Sequence, residues 1–405
     1  MSISQLIVLC TNFVLLVTVS ILFIICLFFL VECTAALFTA RFAYKEKSNW
    51  EDTKVTILVP AHNEEIVIGA TLENLARMLK KHDRLVVIAD NCSDATAEIA
   101  RAKGATVIER HDRVRKGKGY ALDYGLQFIE SNPPDVVVLV DADCTVHQDA
   151  LAQLSQKAQA TGRPVQATYL MEKPKNSKSS KDLVSQFSNI VRNLVRPLGL
   201  SNLGLSSSLH GTGMAFPWSI IASVSLANGH LLEDLKLGLD LTLAGHQPIF
   251  CSQARVTGYL PSSLQAAKTQ KTRWEHGHFQ LIQTYVPILL REAVRQKRLD
   301  LLGSILDLCL PPLSLLVMIW LAVMVSTLLF GVLAASWIPA TIAIAAGFCF
   351  FTAIFTAWAK FARAELPLGQ LLSIPFYVLW KIPVYLQFLV KPQTVWVRTE
   401  RDKVL

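Results

Sequence analysis

The stretch VVVLVDADCTV, residues 136–146, decides how the rest of the sequence is interpreted. Val136 to Val140 form an uninterrupted apolar run, which is typical of a strand buried on both faces of a sheet. The run ends at Asp141 and Asp143, whose side chains face the same way in an extended backbone. Converging carboxylates repel each other unless a cation lies between them, and hard oxygen ligands suit Mg²⁺ or Mn²⁺. The stretch therefore predicts a metal site that binds a diphosphate through the cation. The alternative is a solvated loop in which the two acidic residues have no shared function.

Strand and helix patterns alternate along the chain before this stretch. The predicted elements are, in order, a strand at 55–60, a helix at 64–79, a strand at 84–90, a helix at 93–104, a strand at 105–110 and a helix at 119–131. This order predicts an α/β, Rossmann-like domain with parallel pairing and helices on the sheet faces. Ligands bind at the carboxyl ends of strands in such sheets, where Asp90 and Asp141 lie, so we expect a nucleotide site there. No GxGxxG opens a helix and no GxxxxGK[ST] occurs, which disfavours dinucleotide oxidoreductases and ATPases.

Two segments of the chain contain no charged residue, residues 6–31 and 308–359. The whole sequence is 52% hydrophobic and 17% charged, with a mean hydropathy of +0.39. Because roughly 20 apolar residues cross a bilayer as a helix, the first segment predicts one span and the second predicts two, with a turn at residues 337–339. The first segment lacks a basic n-region and is longer than a signal-peptide core, so a retained anchor is favoured.

The formal net charge is +8, from 39 basic and 31 acidic residues. Basic residues cluster at the edges of the predicted spans, at Arg41, Lys45 and Lys47 and again at Lys360 and Arg363. This positive-inside pattern predicts a multi-pass plasma (inner) membrane protein with residues 41 to about 300 in the cytoplasm. A nucleic-acid partner is disfavoured, because the basic residues are not interleaved with aromatic ones. Eight cysteines without a CxxC pair predict neither disulfides nor a thiolate metal site.

Four further motifs occur in order with the Asp141–Asp143 pair: VPAHNEE at 59–65, ADNCSD at 89–94, LLED at 231–234 and QKTRW at 270–274. Together they resemble the inverting family 2 glycosyltransferases with a GT-A catalytic domain. The resemblance is to the membrane-embedded branch that contains cellulose, chitin and hyaluronan synthases, and it covers roughly residues 53–300. ADNCSD departs from the commoner Asp-Gly-Ser pattern but keeps the leading acid.

The resemblance implies a role for each matching residue. Asp141 and Asp143 would hold Mg²⁺ or Mn²⁺, Asp234 would be the general base, and Glu233 would lie beside the acceptor. The implied nucleotide-sugar residues are Ala61, Glu64, Asp90, Lys118, Asp141, Gln270, Arg273 and Trp274. Plainer alternatives remain. An acid in the first turn of a helix is favoured by the helix dipole alone, and Gln270, Arg273 and Trp274 share the face of a helix that could rest on the membrane.

Two other segments resemble family loops. SLHGTGMAFPW at 208–218 corresponds in position to the acceptor-binding loop, with Trp218 as a platform for a sugar ring; its glycines could instead serve only a tight turn. WVRTER at 396–401 resembles a gating loop, in which Trp396, Thr399 and Arg401 would close over the nucleotide. The alternative for this tail is binding to anionic lipid.

These observations give one expected organisation. We predict an N-terminal transmembrane helix in 1–40, a cytoplasmic GT-A domain in 53–275, an amphipathic interfacial helix in 276–303, two transmembrane helices in 304–360, an interfacial or re-entrant segment in 366–390 and a cytoplasmic basic tail in 391–405. Residues 171–182, rich in Pro, Ser and Lys, are expected to form a loop.

The expected function is an inverting β-glycosyltransferase that uses a UDP-sugar and a glycan or lipid-linked acceptor at the membrane, together with membrane lipid and other polysaccharide-assembly components. One alternative is a transferase that adds a single sugar to a lipid-linked acceptor, because only three spans are counted. A second, of a different class, is a catalytically inactive nucleotide-binding membrane scaffold.

Overall fold

A computed structural model describes residues 2–38, 50–172, 180–261, 263–374, 378–379, 381–383 and 385. Within these residues the chain forms eight strands: β1 (Val55–Ala61), β2 (Arg84–Asp90), β3 (Thr106–Arg110), β4 (Val136–Leu139), β5 (Thr145–Val146), β6 (Val165–Glu172), β7 (Met214–Pro217) and β8 (Ile249–Tyr259). They form one sheet with the order β3-β2-β1-β4-β7-β6-β8-β5.

The described residues also form α-helices, some of which pack on the two faces of the sheet. They are α1 (Ile3–Ala35), α2 (Ile68–Ala76), α3 (Thr96–Ala102), α4 (Lys118–Ile129), α5 (Ala150–Thr161), α6 (Ser180–Ile190), α7 (Arg196–Asn202), α8 (Trp218–Ile221), α9 (Glu233–Leu243), α10 (Leu264–Gln296), α11 (Asp300–Cys309), α12 (Leu313–Ala334) and α13 (Ile338–Phe361). A π-helical turn, Val191–Val195, joins α6 to α7, and 3₁₀ turns lie at Trp50–Asp52 and Leu368–Ser373.

Parallel pairing holds for the first half of the sheet, as the alternation of strands and helices predicts. β1 pairs in parallel with both β2 and β4, and β2 pairs in parallel with β3. The second half is mixed: β7 is antiparallel to β4 and to β6, whereas β6 and β8 are parallel. The α/β prediction is therefore confirmed, and the sheet is a mixed one rather than wholly parallel.

Alternate residues of the strands pack on opposite faces of the sheet. On one face, Ile57 and Val138 pack with residues of α2 and α5 such as Leu72 and Leu151. On the other face, Leu58 and Leu139 belong to a cluster that includes residues of α4, α8 and α9. Because both faces are covered, the strands carry continuous apolar runs, and polar residues are found where the strands end.

Three described helices are long and apolar enough to cross a membrane: α1, α12 and α13. They lie in the segments where the sequence predicts spans, with the turn before Ile338 as expected. Residues of all three, such as Phe29, Leu316 and Phe350, share one apolar cluster with residues of α6 and the π-helical turn. The candidate spans therefore pack directly against the segment that joins β6 to β7.

A buried ionic network joins α1 to the sheet domain. Arg196 donates from Nε to Glu32 Oε2 at 3.0 Å and from Nη2 to the carbonyl oxygen of Asp307 at 2.8 Å. Ser208 donates to Asp307 Oδ2 at 2.7 Å. A charge buried in this way is stable only when it is paired, so the network fixes α1, α7, α11 and the loop before β7 relative to one another.

The segment predicted as a separate interfacial helix, 276–303, differs in the structure. It is the second half of α10, which runs unbroken from Leu264, followed by the start of α11. One face of this half, including Leu281 and Leu289, is buried against Leu235 of α9 and Ile305 of α11. Periodicity alone could not separate a face buried in protein from a face that meets lipid.

Two predicted segments lie outside the described residues. They are residues 173–179 of the expected loop and residues 391–405 of the expected C-terminal tail. In the 366–390 segment, the buried side chain of Lys381 pairs with Glu275, and Tyr385 and Ser314 share a hydrogen bond of 2.7 Å between their hydroxyls.

We predict that Gly199→Ala destabilises the protein by about 1–3 kcal/mol, the usual cost of overpacking. A methyl group at Gly199 would overlap the backbone carbonyl oxygen of Glu32, so α1 and α7 would have to separate. Thermal unfolding in detergent measures the effect. Gly369→Ala is the matched control, because a methyl group there meets open space, and equal melting temperatures for both variants would contradict this packing.

Candidate functional site

One cavity of about 890 Å³ opens at the carboxyl ends of the parallel strands. This volume suits a small-molecule ligand such as a nucleotide-sugar. It brings together Lys118 and residues from the five motifs, which are far apart in the chain: Ala61, Glu64, Asp90, Asp141, Asp143, Glu233, Asp234, Gln270, Arg273 and Trp274.

The ends of β1 and β2 form one end of the cavity. Asp90 is 7% exposed, and its Oδ1 accepts hydrogen bonds from Arg110 at 2.7 Å and from Asn91 at 2.9 Å. Burial raises the pKa of Asp90 and Arg110 opposes this effect. The backbone amide of Glu64 donates to Thr96 Oγ1 at 2.8 Å, which holds the loop after β1 against the start of α3. These bonds give the two strand ends a fixed position.

Hydrogen bonds with two other segments of the chain fix the loop that contains Asp141 and Asp143. The amide of Asp141 donates to Thr212 Oγ1 at 3.0 Å, and Thr71 Oγ1 donates to the carbonyl oxygen of Ala142 at 2.8 Å. Ligand atoms of Asp141, Asp143 and Cys144 all lie within 4.8 Å of one another. Burial raises the pKa of the Cys144 thiol well above its usual value, so it remains protonated at neutral pH. The carboxylates alone therefore offer hard ligands, a donor set that fits Mg²⁺ or Mn²⁺.

Lys118, the first residue of α4, lies among the acids. Its ammonium group pairs with Asp141 and donates to the carbonyl oxygen of Gly211 at 2.7 Å. Burial acts to lower the pKa of Lys118, but the negative charges of Asp141, Glu233 and Asp234 outweigh burial and raise it. Lys118 is therefore a permanent positive charge beside the strand end, where the sequence suggested only nucleotide contact.

Gly211 is the point at which the acids of different elements meet. Its φ of +84° is in the left-handed region, which glycine adopts without strain. A Cβ at this position would lie 3.3 Å from Asp234 Oδ2 and 4.0 Å from Asp141 Oδ2. A carboxylate of α9 and a carboxylate of the loop after β4 thus both lie within 4.0 Å of one point beside this small residue.

Glu233 and Asp234 form the first turn of α9, where a negative charge is favoured by the helix dipole. Burial and the charge of Asp234 raise the pKa of Glu233 to about 7, although Lys118 and Arg273 act to lower it. Glu233 therefore changes its protonation state near neutral pH in the protein as it stands.

Gln270, Arg273 and Trp274 share one face of α10 and line the same cavity. Gln270 is 5% exposed, and Trp274 also packs against the cluster between α9, α10 and α11. These three residues of α10 line the cavity, and other residues of the same helix pack on α11. An amphipathic helix and a helix that contributes to the site are therefore compatible descriptions of α10.

Two lining residues, Arg192 and His210, were not singled out from the sequence. Arg192 lies in the π-helical turn, and such turns are frequent at functional sites. Burial lowers the pKa of His210 well below its usual value, and the charges of Arg192 and Arg196 add to the effect, so its imidazole is neutral. His210 lies in the glycine-rich loop that the sequence did mark, whereas nothing in the pattern around Arg192 identifies it.

Trp218, predicted to bind the acceptor, is not part of the cavity. β7 is antiparallel to β4, with Met214 opposite Leu139 and Pro217 opposite Val136. The loop before β7 therefore reaches the carboxyl end of β4, whereas Trp218 lies at its amino end, with its amide 3.0 Å from the carbonyl oxygen of Asp135. Trp396, Thr399 and Arg401 lie outside the described residues.

With this geometry established, comparison with known proteins identifies the family. A model of the family described as "Glycosyltransferase like family 2" matches residues 53–277, more than half of the chain. The chain belongs to glycosyltransferase family 2. The matched region runs from the start of β1 to just beyond Trp274, and it contains every motif that lines the cavity.

Curated relatives support the same family. The glycosyltransferase is 30% identical over 237 residues to the probable glycosyltransferase YdaM of Bacillus subtilis, covering 56% of this chain and 55% of that protein. It is 33% identical over 135 residues to a 4,4'-diaponeurosporenoate glycosyltransferase of Staphylococcus aureus, covering 32% of this chain and 35% of that protein. The chain thus spans about half of the first relative and a third of the second.

A solved structure has a similar fold. The mannosyltransferase PcManGT from Pyrobaculum calidifontis, solved in complex with GDP-Man and Mn²⁺, is similar with a TM-score of 0.57. The likeness covers 95% of this chain and 100% of that chain at 16% identity. At this identity the comparison establishes a GT-A fold for the glycosyltransferase, and the expected fold class is confirmed.

We predict that Glu233→Gln stabilises the metal-free protein at pH 8. The pKa of Glu233 rises from 4.5 to about 7 on folding, so the native state binds this proton more tightly. Stability therefore falls as the pH rises between these values, and the full cost is present above pH 7. Melting temperatures measured in EDTA should be higher for Glu233→Gln than for wild type at pH 8, and the gain should vanish below pH 4.5. A variant that melts below wild type at pH 8 would contradict the burial of this charge.

Proposed function

We propose that this glycosyltransferase moves a sugar from a UDP-sugar to a hydroxyl group of a membrane-associated acceptor, with inversion at the anomeric carbon. The observation that carries the proposal is the single cavity that Asp90, Asp141, Asp143, Asp234 and Arg273 line together. A polysaccharide end or a lipid-linked oligosaccharide is the proposed acceptor.

The nucleotide would bind between β1 and β2. Arg110 and Asn91 both donate to the same oxygen of Asp90, which orients the carboxylate for a further hydrogen bond from the N–H group of a uracil base. Ala61 and Glu64 lie beside this position, and Arg273 supplies a guanidinium for the diphosphate. Because the solved relative contains GDP-Man, the choice between a uracil and a guanine base is tested by offering both UDP-sugars and GDP-mannose as donors.

Asp141 and Asp143 would hold the divalent ion, as their clustered oxygen atoms and the protonated Cys144 indicate. Bound Mg²⁺ or Mn²⁺ supplies positive charge against the diphosphate that leaves. Lys118 adds a second positive charge at the same strand end because it pairs with Asp141. Charge placed in advance at the leaving group is the main means of lowering the barrier for such a displacement.

Asp234 is the proposed general base. Its Oδ2 lies close to Gly211, as Asp141 Oδ2 does. In this proposal an acceptor hydroxyl beside Asp234 faces the anomeric carbon from the side opposite the diphosphate. Removal of the hydroxyl proton by a positioned carboxylate assists attack on the anomeric carbon. Attack from the opposite side inverts that centre, which accounts for a β-linked product from an α-linked donor.

The membrane role rests on α1, α12 and α13, which by length and composition could cross a bilayer. We propose a multi-pass plasma membrane protein with the sheet domain in the cytoplasm, since basic residues flank the spans on that side. Three spans favour addition of one sugar to a lipid-linked acceptor over export of a growing polymer. The name of the S. aureus relative, which specifies one defined acceptor molecule, supports the same alternative.

We predict that Asp234→Asn lowers sugar transfer and donor hydrolysis by about 10²–10⁴-fold, the usual contribution of a general base. The amide keeps the size of the side chain but cannot accept the proton, so UDP binding should remain. Purified full-length protein would be screened with UDP-glucose, UDP-galactose, UDP-GlcNAc, UDP-GlcA and GDP-mannose in Mg²⁺ or Mn²⁺, and release of the nucleoside diphosphate would be measured.

Asp123→Asn is the matched control, because it makes the same change on α4, where Asp123 accepts only a surface hydrogen bond from Gln127 among the contacts that the structure gives it. Its turnover should equal that of wild type. If wild type and Asp234→Asn both bind UDP but neither releases it from any donor, the inactive scaffold is the correct interpretation. Turnover with GDP-mannose alone would overturn the UDP assignment but not the transfer.

A further inference from the structure

A second, narrower cavity of about 110 Å³ adjoins the site cavity. The two share Met171, Asn189, Arg192 and Trp274 in their walls. From there the second cavity extends to the linker at residues 310–313, at which α12 begins. Because α12 is a candidate span, the second cavity leads from the proposed acceptor side of the site to the start of a membrane helix.

The walls of the second cavity are rich in positive charge. Arg192, Arg196, Lys271 and Lys381 line it, against one carboxylate, Glu275. Most of these groups already have partners that hold them in place. Arg196 pairs with Glu32 and Asp307 behind the wall, Lys381 pairs with Glu275, and Lys271 donates to Ser185 Oγ at 3.0 Å.

Arg192 differs from the other three. Among the described residues, no carboxylate lies within ion-pair distance of its guanidinium, although Arg192 is partly buried and lines both cavities. Burial lowers the pKa of Arg192, and the charge of Arg196 adds to this effect. The charges of Asp234, Asp307 and Glu275, which lie beyond ion-pair distance, oppose it; an arginine stays protonated even so. A partly buried charge of this kind is costly unless an anion completes its surroundings.

The remaining wall groups suit an oxyanion attached to an apolar chain. Ser185, Ser188 and Asn189 line the cavity beside Arg192 and offer hydroxyl and amide donors. Leu260 and the apolar linker 310–313 also line this cavity. The lining therefore offers donors to a group with several acceptor oxygens and apolar contacts to a hydrocarbon chain.

We propose that the second cavity binds the phosphate group of a lipid-linked acceptor, with Arg192 as its anchor and the lipid chain directed along the 310–313 linker toward α12. The inference rests on the proposed transferase function and specifies its acceptor. A phosphate at Arg192 leaves the sugar-bearing or hydroxyl end of the acceptor in the larger cavity, on the side of Asp234. A neutral polysaccharide offers Arg192 hydroxyl oxygens but no negative charge, so the inference favours a lipid phosphate over a polymer end.

The test measures retention of polyprenyl phosphate by the purified full-length protein in phosphatidylcholine nanodiscs. The probes are polyprenyl phosphate, the matching polyprenol and inorganic phosphate. Wild type should bind polyprenyl phosphate well above polyprenol, and Arg192→Gln should weaken that binding by about tenfold or more, since a hydrogen bond to a charged group contributes roughly 1.5–3 kcal/mol. Arg192→Lys keeps the charge but loses the fork geometry, so it should fall between the two.

Arg295→Gln is the matched control, because it also replaces an arginine by glutamine. Arg295 lies on α10 and lines neither cavity, and 70% of its side chain is exposed. This variant should bind polyprenyl phosphate as wild type does. Melting temperature reports an intact fold in every variant, and UDP binding by wild type and Arg295→Gln reports a working donor site, because Arg192 itself lines the site cavity. Equal retention of polyprenol and polyprenyl phosphate by wild type would overturn the inference, even if Arg192→Gln did not fold.

Two other outcomes would count against the inference. Equal binding of polyprenyl phosphate by Arg192→Gln and wild type would remove Arg192 as the anchor. Equal affinity for inorganic phosphate and the lipid would show that a soluble phosphate, not a lipid, is the ligand. In either case UDP binding and donor turnover by wild type would be intact, so failure of this inference is distinguishable from failure of the proposed transferase function, in which no donor is turned over.

Discussion

Crowding of negative charge at one edge of the sheet is the constraint on which the rest of the structure depends. Asp141, Asp143, Glu233 and Asp234 come from a strand end and a helix start, and they line one cavity. Their mutual repulsion must be offset, and Lys118 offsets part of it through its pair with Asp141. Burial is the main cause of the raised pKa of Glu233, and the charge of Asp234 adds to it, so repulsion between these acids persists in the protein alone. A divalent cation at Asp141 and Asp143 would supply the missing charge, and the same charge is what a leaving diphosphate requires.

Buried polar bonds and apolar packing connect this edge of the sheet to the three candidate spans. The loop that carries His210 and Gly211 begins beside Ser208, which donates to Asp307, and Asp307 shares Arg196 with Glu32 of α1. Helix α10 lines the cavity with Arg273 and Trp274 and then packs on α11. The candidate spans are thus joined to the site through buried polar bonds as well as apolar contacts. An acceptor that arrives from the bilayer would meet the site within a wall that these helices hold in place.

Much of this arrangement follows from the sequence, because its signals are local. The apolar run before Asp141 predicts a buried strand, and the uncharged segments predict the spans in which α1, α12 and α13 lie. Signals that depend on tertiary packing were missed. The antiparallel direction of β7 determines that His210, not Trp218, reaches the cavity, and no short pattern encodes that direction. The π-helical turn that carries Arg192 has no periodic signature, and no local signal indicates that α10 runs unbroken from Leu264 past residue 276.

If Asp141 and Asp143 form a divalent metal site that works with the nucleotide, Mn²⁺ binding must depend on these carboxylates. Electron paramagnetic resonance of Mn²⁺ measures this in titrations of the full-length protein with and without UDP. We expect saturable Mn²⁺ binding that UDP strengthens in wild type and that is lost in Asp143→Asn, while Asp123→Asn binds as wild type does. Mn²⁺ binding of the same affinity and UDP dependence in Asp143→Asn would rule out Asp143 as a metal ligand.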